Sequence, residues 1–256
     1  MRRILLCLEF DGTAYHGWQV QKNGISVQSR VQDAIEDCID VRAALTGCSR
    51  TDAGVHATGF CCTFDTEAAI PVSRIPAALN VRLPADIAVC RAAEVRGDFH
   101  PRYDALGKRY VYRILNTPTR RPLEDGRAWH ITTPLPAEEM DRAAQVFVGT
   151  HDFSAFCAAG SDVQDKTRTV QACRVERQGD LLCFTVQADG FLYHMVRILT
   201  GTLVDQALGR IGPQAAETAL RTGDRADAGR TAPAHGLYLE QVFYREEDVA
   251  WSKKKS

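Results

Sequence analysis

The chain has 256 residues, 45% of them hydrophobic and 25% charged, which excludes a disordered or fibrous polymer and leaves room for one large core or two modest ones. A formal net charge of -1 excludes a protein that coats nucleic acid indiscriminately, although a local basic cleft can still attract phosphates. No apolar run reaches the ~18 residues of a membrane span, and nine cysteines without a CxxC pair suit a reducing cytoplasm and lack the paired spacing of a zinc site.

Ile4, Leu6, Leu8 and Phe10 alternate with Leu5, Cys7 and Glu9, and this period of two predicts a strand buried on at least one face. Glu9 and Asp11 break the apolar run too early for a signal peptide. A turn-like loop runs from Asp11 to Gly17. Ser26 then stands at a helix N-cap, and Val27, Val31, Ala34, Ile35 and Cys38 recur at helical steps along one face. Residues 60–64 read as a short strand, and the apolar setting of Cys61 and Cys62 there favours burial over reactivity. Pro71, Pro76 and Pro84 punctuate the next stretch, with a brief helix around residues 77–80 and a strand over 87–92.

The texture changes at residues 99–102. Tyr110, Tyr112 and Ile114 then share one face of a strand with Lys108. Pro134 and Pro136 open a helix with Met140, Ala143, Ala144 and Phe147 on one face, and Gly149 closes it. Strands are predicted over 169–176 and 182–188, a long helix over 191–208, a further helix after Gly212-Pro213, and a last strand over 237–244. On the long helix Leu192, Met195, Val196, Leu199 and Leu203 form an apolar stripe, with Arg197 projecting from the other side. Interleaved strands and helices without strict β-α-β alternation predict an α+β fold with a mostly antiparallel sheet. The expected division is an N-terminal half over 1–100, a C-terminal half over 101–246 and a flexible tail over 247–256. Basic residues cluster at Arg102, Lys108, Arg109 and Arg113 and again at Arg120, Arg121 and Arg127, with Lys166 and Arg168 as further members; such charges either bind phosphate or keep edges and loops solvated.

The segment Gly47-Cys48-Ser49-Arg50-Thr51-Asp52-Ala53-Gly54-Val55-His56-Ala57 concentrates small residues around one carboxylate, with an arginine, a threonine and a histidine beside it. Small residues let backbone turn tightly and approach a ligand. A polar turn with an Asx cap is the plain alternative. SRTDAGVHA resembles the catalytic motif of the TruA family of tRNA pseudouridine synthases. Other segments agree in the family's order: Phe10-Asp11-Gly12 with Tyr15 and Gly17-Trp18-Gln19, then Ser26-Val27-Gln28, Leu83-Pro84 with Asp86-Ile87, and Phe99-His100-Pro101-Arg102 followed by Lys108-Arg109-Tyr110-Val111-Tyr112. His151-Asp152-Phe153, Phe191-Leu192-Tyr193-His194-Met195-Val196-Arg197 and Ala232-Pro233-Ala234 complete the set. Cys48 departs from the family, which usually has a small residue there.

The resemblance implies an isomerase that converts uridine to pseudouridine on the 3′ side of the tRNA anticodon stem-loop, without a cofactor or metal, as a cytoplasmic homodimer. It also implies two RRM-like halves that share a long, mostly antiparallel sheet, with the active cleft between them. Asp52 becomes the expected catalytic carboxylate, as nucleophile or as initiator of glycal formation, Arg197 its ion-pair partner, and Tyr110 the residue against the target base. Arg50, His56, Arg102 and Lys108 are the expected further substrate contacts, with His56 either structural or touching RNA and not an acid-base group. A cysteine-dependent RNA pyrimidine methyltransferase would need a glycine-rich methyl-donor loop after a strand, and a non-catalytic RRM module would need aromatics in the RNP pattern; neither is found.

Overall fold

The structure, a computed structural model, describes residues 1–251. In chain order the first elements are β1 (Arg2–Phe10), α1 (Val27–Ile39), β2 (Thr46–Gly47), β3 (His56–Thr66), α2 (Ile75–Asn80) and β4 (Ile87–Val95). There follow β5 (Gly107–Asn116), β6 (Trp129–Ile131), α3 (Ala137–Ala144), β7 (Gly149–Asp152), β8 (Thr167–Gln178), β9 (Leu181–Ala188), α4 (Met195–Ala207), α5 (Ala215–Thr222) and β10 (Leu237–Phe243). The architecture is α+β with mostly antiparallel strands, as the interleaving predicted. The chain forms two compact units, Met1–Leu106 with the residues from Leu239 onward, and Gly107–Tyr238.

In the first unit β1 lies between β3 and β4, antiparallel to both, so Leu5 faces Thr63 on one side and Ala93 on the other. Ile4 through Leu8 are all buried, so this central strand is covered on both faces. Ser26 caps α1 as expected, its hydroxyl accepting from Ser29 N at 3.2 Å, and Val27, Val31, Ala34 and Ile35 turn inward. β3 is longer than the 60–64 read from the sequence, because it already begins at the motif residue His56, with Ala57 opposite Phe10, and runs on to Thr66.

In the second unit β5 pairs with β9, β9 with β8 and β8 with β7, all antiparallel, while the short β6 runs parallel to β5. α3 packs on β8, and α4 on α3 and α5. Two expectations change at α4. It begins at Met195, because His194 sits in left-handed backbone at φ 58° and cannot continue a helix. Its apolar surface is no single stripe: every residue from Ile198 to Asp205 is buried, as in a helix enclosed on all sides.

The last strand corrects the expected division. Residues from Leu239 belong with the first unit. Phe243 O accepts from Leu106 N at 2.8 Å, the Tyr244 hydroxyl donates to Pro101 O at 2.7 Å, and the Tyr244 and Phe99 rings meet edge to face. Nor is the segment after it loose: Asp248 pairs with Arg96, Val249 is buried, and the Arg91 guanidinium lies 4.4 Å from the centre of the Trp251 ring. The remainder of the expected tail, residues 252–256, lies outside the described residues.

Candidate active site

Asp52 lies in the loop between β2 and β3. The loop's base is fixed by strand pairing, with Gly47 opposite Cys62. Cys48, fully buried, donates its N–H to Cys61 O at 2.8 Å, and its Sγ accepts from Cys61 N at 3.4 Å. A cysteine therefore replaces the family's small residue by packing inward. Cys61 and Cys62 are buried on β3 and burial pushes the Cys62 thiol well above its usual value, so neither is a nucleophile.

The opening loop holds the other side of the Asp52 loop. Trp18 N donates to Thr51 O at 3.4 Å, and Gly54 N to Tyr15 O at 3.2 Å. Gly17 has φ +81°, and a Cβ there would stand 2.1 Å from Thr51 O; a Cβ on Gly12 would stand 2.0 Å from Val55 O. These glycines let two backbones touch where any side chain would separate them. The opening loop is itself tied down. Tyr15 OH donates to Asp86 Oδ1 at 2.6 Å, and Asp11 N donates to Asp86 O at 2.9 Å. Burial, then the bond to Asp86, push the Tyr15 phenol well above its usual value, so it remains a donor. Tyr15, Asp86, Gly12 and Gly17 stood in the motif segments with no role assigned. Their part is visible only once residues some forty and seventy positions apart are in contact.

His56 is 2% exposed. Its Nδ1 accepts the Gly12 N–H at 3.0 Å and also lies 3.2 Å from Asp11 Oδ1. One nitrogen cannot both accept from Gly12 and donate to Asp11. The Asp11 oxygen already accepts from Thr13 N and Thr13 Oγ1, so Nδ1 presents its lone pair to Gly12. His56 is thus a buried clamp on the loop. Arg50 and Arg102 are exposed, the latter with its guanidinium 5.7 Å from the Tyr103 ring centre.

In the second unit Lys108, Tyr110, Tyr112 and Ile114 share the buried face of β5. Burial places Lys108 beside Tyr110 and away from the open surface. The Tyr110 ring meets Phe191 edge to face, centroids 4.8 Å apart. Arg197, in the first turns of α4, donates from Nε to Ala232 O at 2.8 Å and accepts from Ala232 N at its own carbonyl at 3.0 Å. Tyr112 OH donates to the next residue, Pro233, at 2.7 Å. The Ala232-Pro233-Ala234 motif thus fixes both Arg197 and the strand that carries Tyr110.

The basic groupings divide. Arg113 pairs with Glu124 at 3.0 Å and Arg121 with Asp180, as surface charges often do. Arg120 is exposed and Lys166 partly so.

A family model described as "tRNA pseudouridine synthase" matches residues 6–104 and 143–245. The chain belongs to the tRNA pseudouridine synthase family. Such synthases are isomerases. "tRNA pseudouridine synthase A" of Thermoanaerobacter sp. (strain X514) is 46% identical over 244 residues, covering 95% of this chain and all of that protein. The protein of the same name from Acetivibrio thermocellus is 45% identical over 244 residues, with 95% and 100% coverage. That from Clostridium kluyveri is 44% identical over 246 residues, again covering 95% and 100%. In this synthase family member both matched stretches contain site elements: the Asp52 loop and its clamps fall in the first, Phe191, Arg197 and Ala232 in the second. β5, with Lys108 and Tyr110, falls between them. Among the described residues no helix is long and apolar enough to cross a membrane.

Proposed function

We propose that this protein isomerises uridine to pseudouridine on the 3′ side of the tRNA anticodon stem-loop, with Asp52 as its catalytic carboxylate. The observation that carries the reading is the clamping of the Asp52 loop: backbone contacts from Gly12, Tyr15, Gly17 and Trp18 hold one side, and Cys48 the other. A carboxylate that must meet one ribose carbon gains from such rigidity, because a displacement of about 1 Å can cost roughly a hundredfold in rate. In the reaction the N1–C1′ bond breaks, the base turns, and C5 bonds to C1′. The C5 proton leaves and N1 gains one, so no oxidant, reductant or cofactor is consumed. Asp52 either attacks C1′ or removes a ribose proton to form a glycal.

Tyr110 and Arg197 complete the site in this proposal, Tyr110 against the target base and Arg197 as the ion-pair partner of the carboxylate. Arg50 and Arg102 meet the RNA backbone or fill the space left by the extruded base. The protein acts in the cytoplasm as a homodimer on one tRNA. The test is Asp52→Asn. Tritium release from tRNA carrying 5-tritiated uridine is expected to fall to background, while a filter-binding titration with the same tRNA stays within about threefold of wild type. Normal tritium release by the variant overturns the assignment.

A further inference from the structure

The segment between β9 and α4 presents an aromatic surface with no role in the site described so far. Tyr193 is 46% exposed. Two residues earlier, Phe191 is fixed against Tyr110. Leu192 is buried, and the Tyr193 carbonyl accepts from Ala158 N at 3.0 Å. On the other side the ring lies against His194, centroids 3.9 Å apart and planes tilted by 31°. His194 itself occupies left-handed backbone, φ 58° and ψ 8°, and makes no side-chain cap to α4. That conformation is uncommon for a residue with a Cβ, and such outliers gather at functional sites. Its effect here is to turn the imidazole behind the tyrosine, three residues before Arg197.

The structure assigns Tyr193, backed by His194, as a stacking platform for the nucleobase next to the target uridine. This rests on the proposed function. When a uridine leaves its stack, the neighbouring base loses a partner and exposes a π face. An aromatic ring of fixed orientation replaces that partner at small entropic cost. Two residues of extended chain span at most about 7 Å, so Tyr193 stands within a short reach of Phe191, whose ring packs on the Tyr110 that the proposed function sets against the target base. Every base has a π face, so the contact supplies affinity and register but little sequence identity.

The experiment compares wild type, Tyr193→Ala, Tyr193→Phe and Tyr193→Trp on three tRNAs: the intact substrate, and transcripts with an abasic residue directly 5′ or directly 3′ of the target uridine. On intact tRNA, Tyr193→Ala is expected to raise KM and the filter-binding Kd about tenfold, at the low end of base–aromatic stacking, with kcat falling less than twofold. Phe and Trp restore both. On one abasic transcript the difference between wild type and Tyr193→Ala disappears, which locates the stacked base. His194→Gly, which accepts the left-handed backbone, keeps or raises Tm while weakening binding several-fold. An unchanged KM in Tyr193→Ala overturns the inference, as does a loss that neither abasic transcript abolishes. If wild type released no tritium at all, the proposed reaction would fail, while the Kd comparison would still decide the Tyr193 contact.

Discussion

Gly17 shows how little room the Asp52 loop has. Its φ of +81° is a left-handed value that costs a residue with a Cβ ~1–2 kcal/mol, and the added carbon would also stand 2.1 Å from Thr51 O. Gly17→Ala is therefore expected to push the Asp52 loop outward, lowering turnover more than tenfold and Tm by several degrees. Gly97→Ala is the matched control, because a Cβ at Gly97 meets nothing within 4 Å; its stability should stay within about 0.5 kcal/mol of wild type. Tritium release and thermal melts of the two variants check both statements. Tyr15→Phe removes one buried donor and leaves an Asp86 oxygen without it, which should cost about 1–2 kcal/mol in a urea titration. Asp52 was legible in the sequence because chemistry-bearing residues crowd around it. Gly12, Gly17, Tyr15 and Asp86 were legible only as members of motifs, since their reasons lie in contacts with residues far along the chain. His56 is a case of the same kind: its Nδ1 accepts from Gly12 N, a partner no local pattern names.

At the scale of elements, periodicity found what was long and missed what was short or strained. β1, β5, β8 and β9 were visible from alternation or apolar runs, and α1 from its cap and stripe. β2, β6 and β7 have two, three and four residues, too few for alternation to register. α4 was placed four residues early because nothing in Phe191-Leu192-Tyr193-His194 signals a left-handed residue. The same helix offers a pH test. Asp205 is buried on α4 and accepts from Arg230 N at 3.0 Å, from Arg230 Nε at 3.0 Å and from Arg210 Nη1 at 3.3 Å. Burial alone would raise its carboxyl, but the Arg230 amide and the two guanidinium groups outweigh it and hold the group below the usual 3.8. A carboxyl lowered in the folded state stabilises it above the unfolded value, and that contribution is lost as pH falls through the folded value. Asp205→Asn should thus cost about 2 kcal/mol at pH 7, and the gap to wild type should close below about pH 4. Urea midpoints measured from pH 7 to pH 3 would show it; a gap independent of pH would mean that Asp205 acts by packing alone.

At the scale of the molecule, near-neutral overall charge and RNA as the proposed substrate are reconciled by the fate of individual arginines. Arg113 and Arg121 are engaged by carboxylates, while Arg50, Arg102 and Arg120 remain exposed. The division into units was legible only in part, because the return of the chain from Leu239 to the first unit depends on contacts of Phe243 and Tyr244 with Leu106 and Pro101 that no local pattern announces. That division gives the last prediction its form. Asp52 belongs to one unit, Tyr110 and Arg197 to the other, and the proposed chemistry requires both. Arg197 is held by its Nε on Ala232 O, an anchor that lysine lacks because it has no equivalent donor partway along its side chain. If Arg197 serves only to stabilise its own unit, Arg197→Ala should lower Tm and change the single-turnover rate by less than about threefold. If it serves the carboxylate, the variant should keep Tm within a few degrees of wild type and lose about a hundredfold in single-turnover rate, the scale of a misplaced reacting group. Arg197→Lys should recover the charge but not the anchored geometry, leaving the rate at least about tenfold low. Unchanged single-turnover rates in both variants would remove Arg197 from the chemistry and return it to the packing of α4 against the Ala232 segment.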